Sequence, residues 1–173
     1  MRYLALVADY DSTLASGDEI SEDSARALRR LRVSGRRAIL MTGRGLDDLL
    51  PACPHVKLFD SIVAENGAIV YSPHNHEAAR LANPPSKQLV QALRTRGVKP
   101  LKIGEVVIAT QAKYRSVVQD AIWELGLEAQ VIVNRDVVMV LPPSVNKGTG
   151  LEYALRRLGL SRHEVAGIGD AEN

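Results

Sequence analysis

The fold class predicted is α/β, a doubly wound, Rossmann-like parallel sheet with a small α+β domain inserted in it. Two observations predict it. Short continuous apolar runs alternate with helical patterns at both ends of the chain, which is the signature of parallel strands and their crossovers. In the middle the rhythm changes to strand pairs joined by two- or three-residue links, which suit antiparallel hairpins.

Tyr3 to Ala8 is an unbroken apolar run, expected for a strand buried on both faces, and it leads straight into Asp9. A helix follows over Glu22 to Val33, with Ala27, Leu28 and Leu31 inward and Arg26, Arg29, Arg30 and Arg32 outward. Gly35 stops that pattern, and Arg37 to Met41 reads as the second strand, followed by Thr42, Gly43 and a short helix over Leu46 to Leu50. Asp60 to Ala64 is the third strand.

From Leu81 to Leu141 the pattern is a helix (Ser86 to Arg96), strands over Pro100 to Ile103 and Val106 to Thr110, a second helix (Tyr114 to Leu125), and strands over Ala129 to Val133 and Val137 to Leu141. Pro84-Pro85 and Pro142-Pro143 bracket this stretch as its two hinges. The expected organisation is a core over 1–80 and 143–173 with an inserted domain over 81–142. Lys147 to Leu158 then reads as a helix and Glu164 to Ile168 as a fourth parallel strand. Strands one, two and three are expected to run outward on one side, with strand four beside strand one.

Composition narrows the function classes. The 173 residues are 46% hydrophobic and 24% charged, ordinary for a folded globular chain. With one Phe, one Trp and five Tyr, the core must rest on aliphatic residues, and a base-stacking platform is disfavoured. The net charge of +2 implies no polyanionic partner, and the arginine run reads as a solvated helix face, so no nucleic acid is expected. Cys53 stands alone, which excludes an intrachain disulfide. No apolar stretch approaches the ~20 residues that span a bilayer, and the first eight residues are too short for a signal peptide. A cytoplasmic protein without membrane contact is expected.

The residues that carry chemistry fall where strands end, the place where open α/β sheets bind ligands. Asp9-Tyr10-Asp11-Ser12-Thr13 comes after the first strand, and Met41-Thr42-Gly43-Arg44 ends the second and opens a helix. A hydroxyl and free N–H groups there can hold an anion. Asn146-Lys147-Gly148-Thr149-Gly150 opens another helix and supplies an ammonium, without the GxxxxGK spacing of a nucleotide phosphate loop. Gly169-Asp170-Ala171-Glu172-Asn173 adds a further acid after the fourth strand. His74 and His76, with no third nitrogen or sulfur ligand nearby, read as a solvated loop.

Asp/Asp, Thr, Lys and Asp on four successive strand ends resemble the haloacid dehalogenase superfamily of phosphohydrolases. Glu65-Asn66-Gly67-Ala68 and the place of the insert are similar to its Cof-like branch, which carries an α+β cap after the third strand. Ser12 stands where the family usually has glycine, a mild departure for so small a side chain.

The resemblance implies a magnesium-dependent phosphatase of a small phosphorylated metabolite, such as a sugar phosphate or phosphoglycolate. Asp9 would be the nucleophile, Asp11 the general acid and base, and Lys147 the charge-neutralising cation. Thr42, Gly43, Arg44, Asn66 and Asn146 would bind substrate phosphate. Magnesium would take Asp9, the main-chain carbonyl of Asp11, and Asp170. Gln111, Lys113, Arg115 and Arg135 are the polar cap candidates for specificity. A phosphomutase, or a phosphate-sensing domain of a longer protein with little turnover, are the alternatives. Because the sequence stops at Asn173 inside the acidic loop, the chain reads as cut there. The expected consequences are an exposed fourth strand, self-association through it, and weakened magnesium binding and turnover.

Overall fold

The computed structural model describes residues 3–16 and 19–169. The chain divides into two compact units, Met1–Leu81 with Asn146–Asn173, and Ala82–Val145.

The first unit opens with β1 (Ala5–Asp9), a minimal hairpin of β2 (Ala15–Ser16) and β3 (Glu19–Ile20), and α1 (Glu22–Val33). It continues through β4 (Arg37–Met41), α2 (Leu46–Ala52), β5 (Ser61–Ala64), β6 (Ile69–Ser72) and β7 (Glu77–Arg80). The second unit holds α3 (Lys87–Thr95), β8 (Leu101–Ile103), β9 (Ile108–Gln111), α4 (Arg115–Glu124), β10 (Gln130–Asn134) and β11 (Val137–Leu141). The chain then re-enters the first unit as α5 (Lys147–Leu158) and β12 (Val165–Ile168).

In the first unit the sheet order is β12-β1-β4-β5-β6-β7. β12, β1, β4 and β5 are parallel and β6 and β7 are antiparallel. The parallel strands end level with one another: Asp9 pairs with Met41, Met41 with Val63, and Ala8 with Ile168. The loops leaving these strands therefore emerge along one edge of the sheet. Val7, Ile39, Val63 and Val70 pack with Ala154 and Leu155 of α5 to form the core on one face. Burial of such aliphatic side chains contributes about 1.5–3 kcal/mol each.

Several elements differ from the sequence expectation. β1 begins at Ala5, because Tyr3 and Leu4 are exposed. The hairpin β6–β7 extends the sheet beyond the third parallel strand, and the loop of His74 and His76 is its turn. In α1 the buried residues are Ala25 and Leu28, while Ala27 is exposed. Ala25 and Leu28 are three apart and share a helix face, whereas Ala27 is rotated a quarter turn or more from Leu28. Arg26, Arg29 and Arg30 face outward as expected, Arg26 pairing with Asp23 and Arg29 with Glu22 at 2.6 Å, while half-buried Arg32 donates to the Lys57 carbonyl at 2.5 Å.

The second unit is an antiparallel sheet of order β10-β11-β9-β8. α3 and α4 lie on one face, where Leu89, Leu93, Val118, Ala121 and Ile122 pack on Ile108, Val138 and Val140. Ser86 caps α3 by accepting the Leu89 N–H. β12 is the outermost strand of the first sheet among the described residues, and its Ile168 is 47% exposed. Among the described residues no helix is long and apolar enough to cross a membrane. Burial pushes the Cys53 thiol up, which makes it a poor nucleophile.

Candidate active site

Asp9, the last residue of β1, meets Lys147, the first residue of α5. The Lys147 Nζ donates to Asp9 Oδ1 at 2.8 Å, with side chains only 11% and 16% exposed. Asn146 makes this meeting possible. Its side chain accepts the Thr149 N–H at 2.9 Å while its own N–H donates to Thr149 Oγ1 at 3.0 Å, a reciprocal cap that starts the helix at Lys147. Expected as a phosphate ligand, Asn146 uses its carboxamide oxygen on the helix end.

The start of α5 is seated on the turn after β5. Gly67 has φ +103°, and a Cβ there would lie 1.9 Å from the Asn146 carbonyl oxygen, so only glycine fits. Glu65 and Asn66 beside it also adopt positive φ, 47° and 53°, and are buried. Three consecutive left-handed residues store backbone strain, a cost of about 1–3 kcal/mol for each non-glycine. The turn is tied to the end of β4: the Asn66 N–H donates to the Thr42 carbonyl at 3.1 Å and the Glu65 N–H to the Arg44 carbonyl at 2.9 Å. The Asn66 carboxamide lies against Gly43, where a Cβ would come 3.3 Å from its oxygen. Glu65, which the sequence offered within the Glu65-Asn66-Gly67-Ala68 motif but with no role of its own, is buried in this turn.

Asp11 is held by the segment after β4. Arg44 Nε and Nη2 both donate to Asp11 Oδ1, at 3.0 and 2.6 Å, and the Thr42 hydroxyl donates to Oδ2 at 3.4 Å. The buried Thr42 Oγ1 in turn accepts the Arg44 N–H at 3.0 Å. The Arg44 guanidinium also lies over the ring of fully buried Tyr10, 5.2 Å from its centroid. Ser12 comes next with φ +61°, a left-handed conformation, so the residue in the usual glycine position is strained rather than merely small. The Thr13 hydroxyl is buried without a hydrogen-bond partner among the described residues.

A Cβ on Gly169, the residue after β12, would be 3.8 Å from Asp9 Cβ. Asp170 lies outside the described residues. Asp9 and Asp11 supply carboxylate oxygens and Asp11 a main-chain carbonyl, hard donors of the kind magnesium prefers. Among the described residues no cluster of three His, Cys, Asp or Glu side chains forms. His76 shares a hydrogen bond with the Tyr71 hydroxyl at 2.9 Å, and His74 lies 3.4 Å from Arg32.

In the second unit, Gln111, Lys113, Arg115 and Arg135 come to one end of the sheet. Gln111 pairs with Val137, and the Ala112 N–H reaches the Asp136 carbonyl at 2.8 Å, which draws the turn of Arg135 to the end of β9. All four are exposed.

Comparison with known proteins adds a family. The model for haloacid dehalogenase-like hydrolases matches residues 6–113 and 97–173. The phosphoglycolate phosphatase of Methanothermobacter thermautotrophicus is 26% identical over 98% of this chain and 78% of its own length. That of Pyrobaculum aerophilum is 29% identical over 96% and 75%. Among solved structures, a haloacid dehalogenase-like hydrolase from Bacteroides thetaiotaomicron superposes with a TM-score of 0.82 at 20% identity, covering 98% of this chain and 82% of that one. The subclass IIB sugar phosphatase BT4131 gives 0.73 at 16% identity, covering 94% and 79%.

Proposed function

Because this chain belongs to the haloacid dehalogenase-like hydrolases, we propose that it is a magnesium-dependent phosphatase working through an aspartyl phosphate on Asp9. The observation that carries the reading is the Asp9–Lys147 pair at the end of β1, with the Thr42 hydroxyl and the Asp11 carboxylate on the neighbouring loops.

A carboxylate attacking a phosphate dianion is opposed by charge, and Lys147 is positioned to answer it. An Asp9 carboxylate oxygen bonds to phosphorus while the ester P–O bond breaks, and the departing oxygen takes a proton from the Asp11 carboxyl. Water then attacks phosphorus, Asp11 takes its proton, and inorganic phosphate leaves a free Asp9. The Gly43 N–H and the Asn66 carboxamide would act as neutral donors to the phosphoryl oxygens, while the Thr42 hydroxyl is given to Asp11. Asp9 and the Asp11 carbonyl would hold magnesium, with Asp170 as a third ligand from its position after Gly169. The ion would withdraw charge from the phosphoryl oxygens.

The substrate proposed is a small phosphorylated metabolite. Phosphoglycolate is the first candidate, since several relatives are named for it. The second unit is proposed as a cap whose Gln111, Lys113, Arg115 and Arg135 select among substrates. A screen of phosphorylated two- and three-carbon acids and sugar phosphates, with and without magnesium, tests substrate and metal together. Asp9→Asn should lower kcat by on the order of 10³ or more while the circular dichroism spectrum is unchanged. Phosphate release at the wild-type rate by Asp9→Asn would end this mechanism.

A further inference from the structure

We infer that Arg44 is a positioning residue for Asp11, a clamp on the carboxylate that exchanges protons with substrate and water, rather than a ligand of the phosphate. The inference rests on the acid-base reading of Asp11 given above.

Two guanidinium N–H groups converge on one carboxylate oxygen of Asp11, at 3.0 and 2.6 Å, while the Thr42 hydroxyl takes the other. Both contacts come from one three-residue segment, and the Arg44 main-chain N–H orients the Thr42 hydroxyl from behind. The guanidinium is itself held from below by the ring of Tyr10, which is 0% exposed and sits between Asp9 and Asp11 in the chain. The clamp therefore has a fixed base.

An ion pair as exposed as this one, 26% for Arg44 and 42% for Asp11, adds little to stability. Its value is geometric. Proton transfer needs the acid within about 2.6–3.2 Å of its partner, and ~1 Å of displacement can cost about a hundredfold in rate. Asp11 stands on a loop whose next residue, Ser12, is strained at φ +61°, so its own backbone is not a relaxed support. A lysine in place of Arg44 would keep the charge but lacks the planar fork that puts Nε and Nη2 on one oxygen with the guanidinium over Tyr10.

The test is a double-mutant cycle on the whole chain, with an alkyl phosphate that needs protonation of its leaving oxygen. Wild type, Arg44→Ala, Asp11→Asn and the double variant are compared for kcat and KM. Calorimetric titration with inorganic phosphate gives binding separately. Arg44→Ala should lower kcat by about a hundredfold, leave KM and phosphate affinity within about threefold, and cost almost nothing further in Asp11→Asn. Arg44→Lys should not restore the rate, whereas added guanidinium should partly restore Arg44→Ala.

An undiminished loss in the Asp11→Asn background overturns the inference, as does a tenfold or greater fall in phosphate affinity. If Asp11→Asn itself turns over at the wild-type rate, the acid-base reading of Asp11 fails and takes the clamp with it. That outcome is distinct from an Arg44 that acts on phosphate. Should Arg44→Ala lose its cooperative thermal transition, the same cycle is read with Arg44→Lys, for which the same two results decide.

Discussion

The unit built on β1, β4, β5 and β12 buries Thr42, Asp60, Ser61, Glu65 and Asn66, whereas among the described residues the unit built on β8 to β11 buries one polar side chain, Thr110. That hydroxyl is simply satisfied, donating to the Pro100 carbonyl at 2.7 Å. Among the described residues, left-handed non-glycine positions divide in the same way: Ser12, Glu65, Asn66 and His76 in the first unit, Arg135 in the second. Of the first four, Ser12 follows Asp11, and Glu65 and Asn66 belong to the turn that packs against Gly43 and the start of α5. Polar burial and strain both cost stability, and they persist where surrounding structure holds groups for chemistry. The second unit shows what the same chain does without that demand, an aliphatic core under two helices.

The contrast is broken most directly at Lys147. Its ammonium pairs with Asp9, and its main chain is fixed by the Asn146 cap and by Gly67 rather than by its side chain. Lys147→Ala should therefore lower kcat by about 10²–10³ while leaving the thermal midpoint nearly unchanged. A loss below tenfold, read from steady-state phosphate release, would show that the paired charge is structural and that the first unit is not organised around catalysis.

The reciprocal experiment removes packing from the second unit. Leu93 is fully buried among Leu89, Val118 and Ile108. Leu93→Ala should cost about 2–5 kcal/mol in a urea titration. At a temperature where the variant is folded, hydrolysis of a small aryl phosphate should be unchanged. If that rate falls with stability intact, the division between a chemical and a packing unit is wrong.

Both regions were legible in the sequence to different depths. Strand ends could be read because a run such as Ala5 to Ala8 is apolar throughout and stops at a charge, and the order β12-β1-β4-β5 follows from βαβ handedness and spacing. The hairpin partner β7 could not, since Glu77-Ala78-Ala79-Arg80 lacks the β-branched and aromatic residues that mark strands. The phase of α1 was missed because Ala25 and Ala27 are the same residue on different faces.

At the site, residue types were visible while partners were not. Asp11 and Arg44 are 33 positions apart, and Asp9 and Lys147 are 138 apart. No local pattern says that Arg44 turns to a carboxylate instead of facing a phosphate. Gly67 reads as a turn glycine, but its contact with Asn146 exists only once α5 is docked.

The smallest expected effect compares the two units at a single backbone angle. Ser12 and Arg135 both hold a left-handed φ, 61° and 51°. A non-glycine residue there costs roughly 1–2 kcal/mol, and glycine returns about 0.5–1 kcal/mol of that through its freer unfolded chain. Ser12→Gly and Arg135→Gly should therefore each stabilise by no more than about 1.5 kcal/mol, a rise of at most about 6 °C in thermal midpoint for a chain this size. At Arg135 the gain should leave hydrolysis of a small aryl phosphate unchanged, since the residue lies in an exposed turn between β10 and β11. At Ser12 the same gain tests whether strain next to Asp11 is used. With the carboxylate held from Arg44 and Thr42, the loop's own stiffness is redundant, and kcat should stay at the wild-type value. A Ser12→Gly variant that gains stability but loses turnover would mean that the strained angle itself aims Asp11. In that case the contrast between the units would lie in their backbones as much as in their buried side chains.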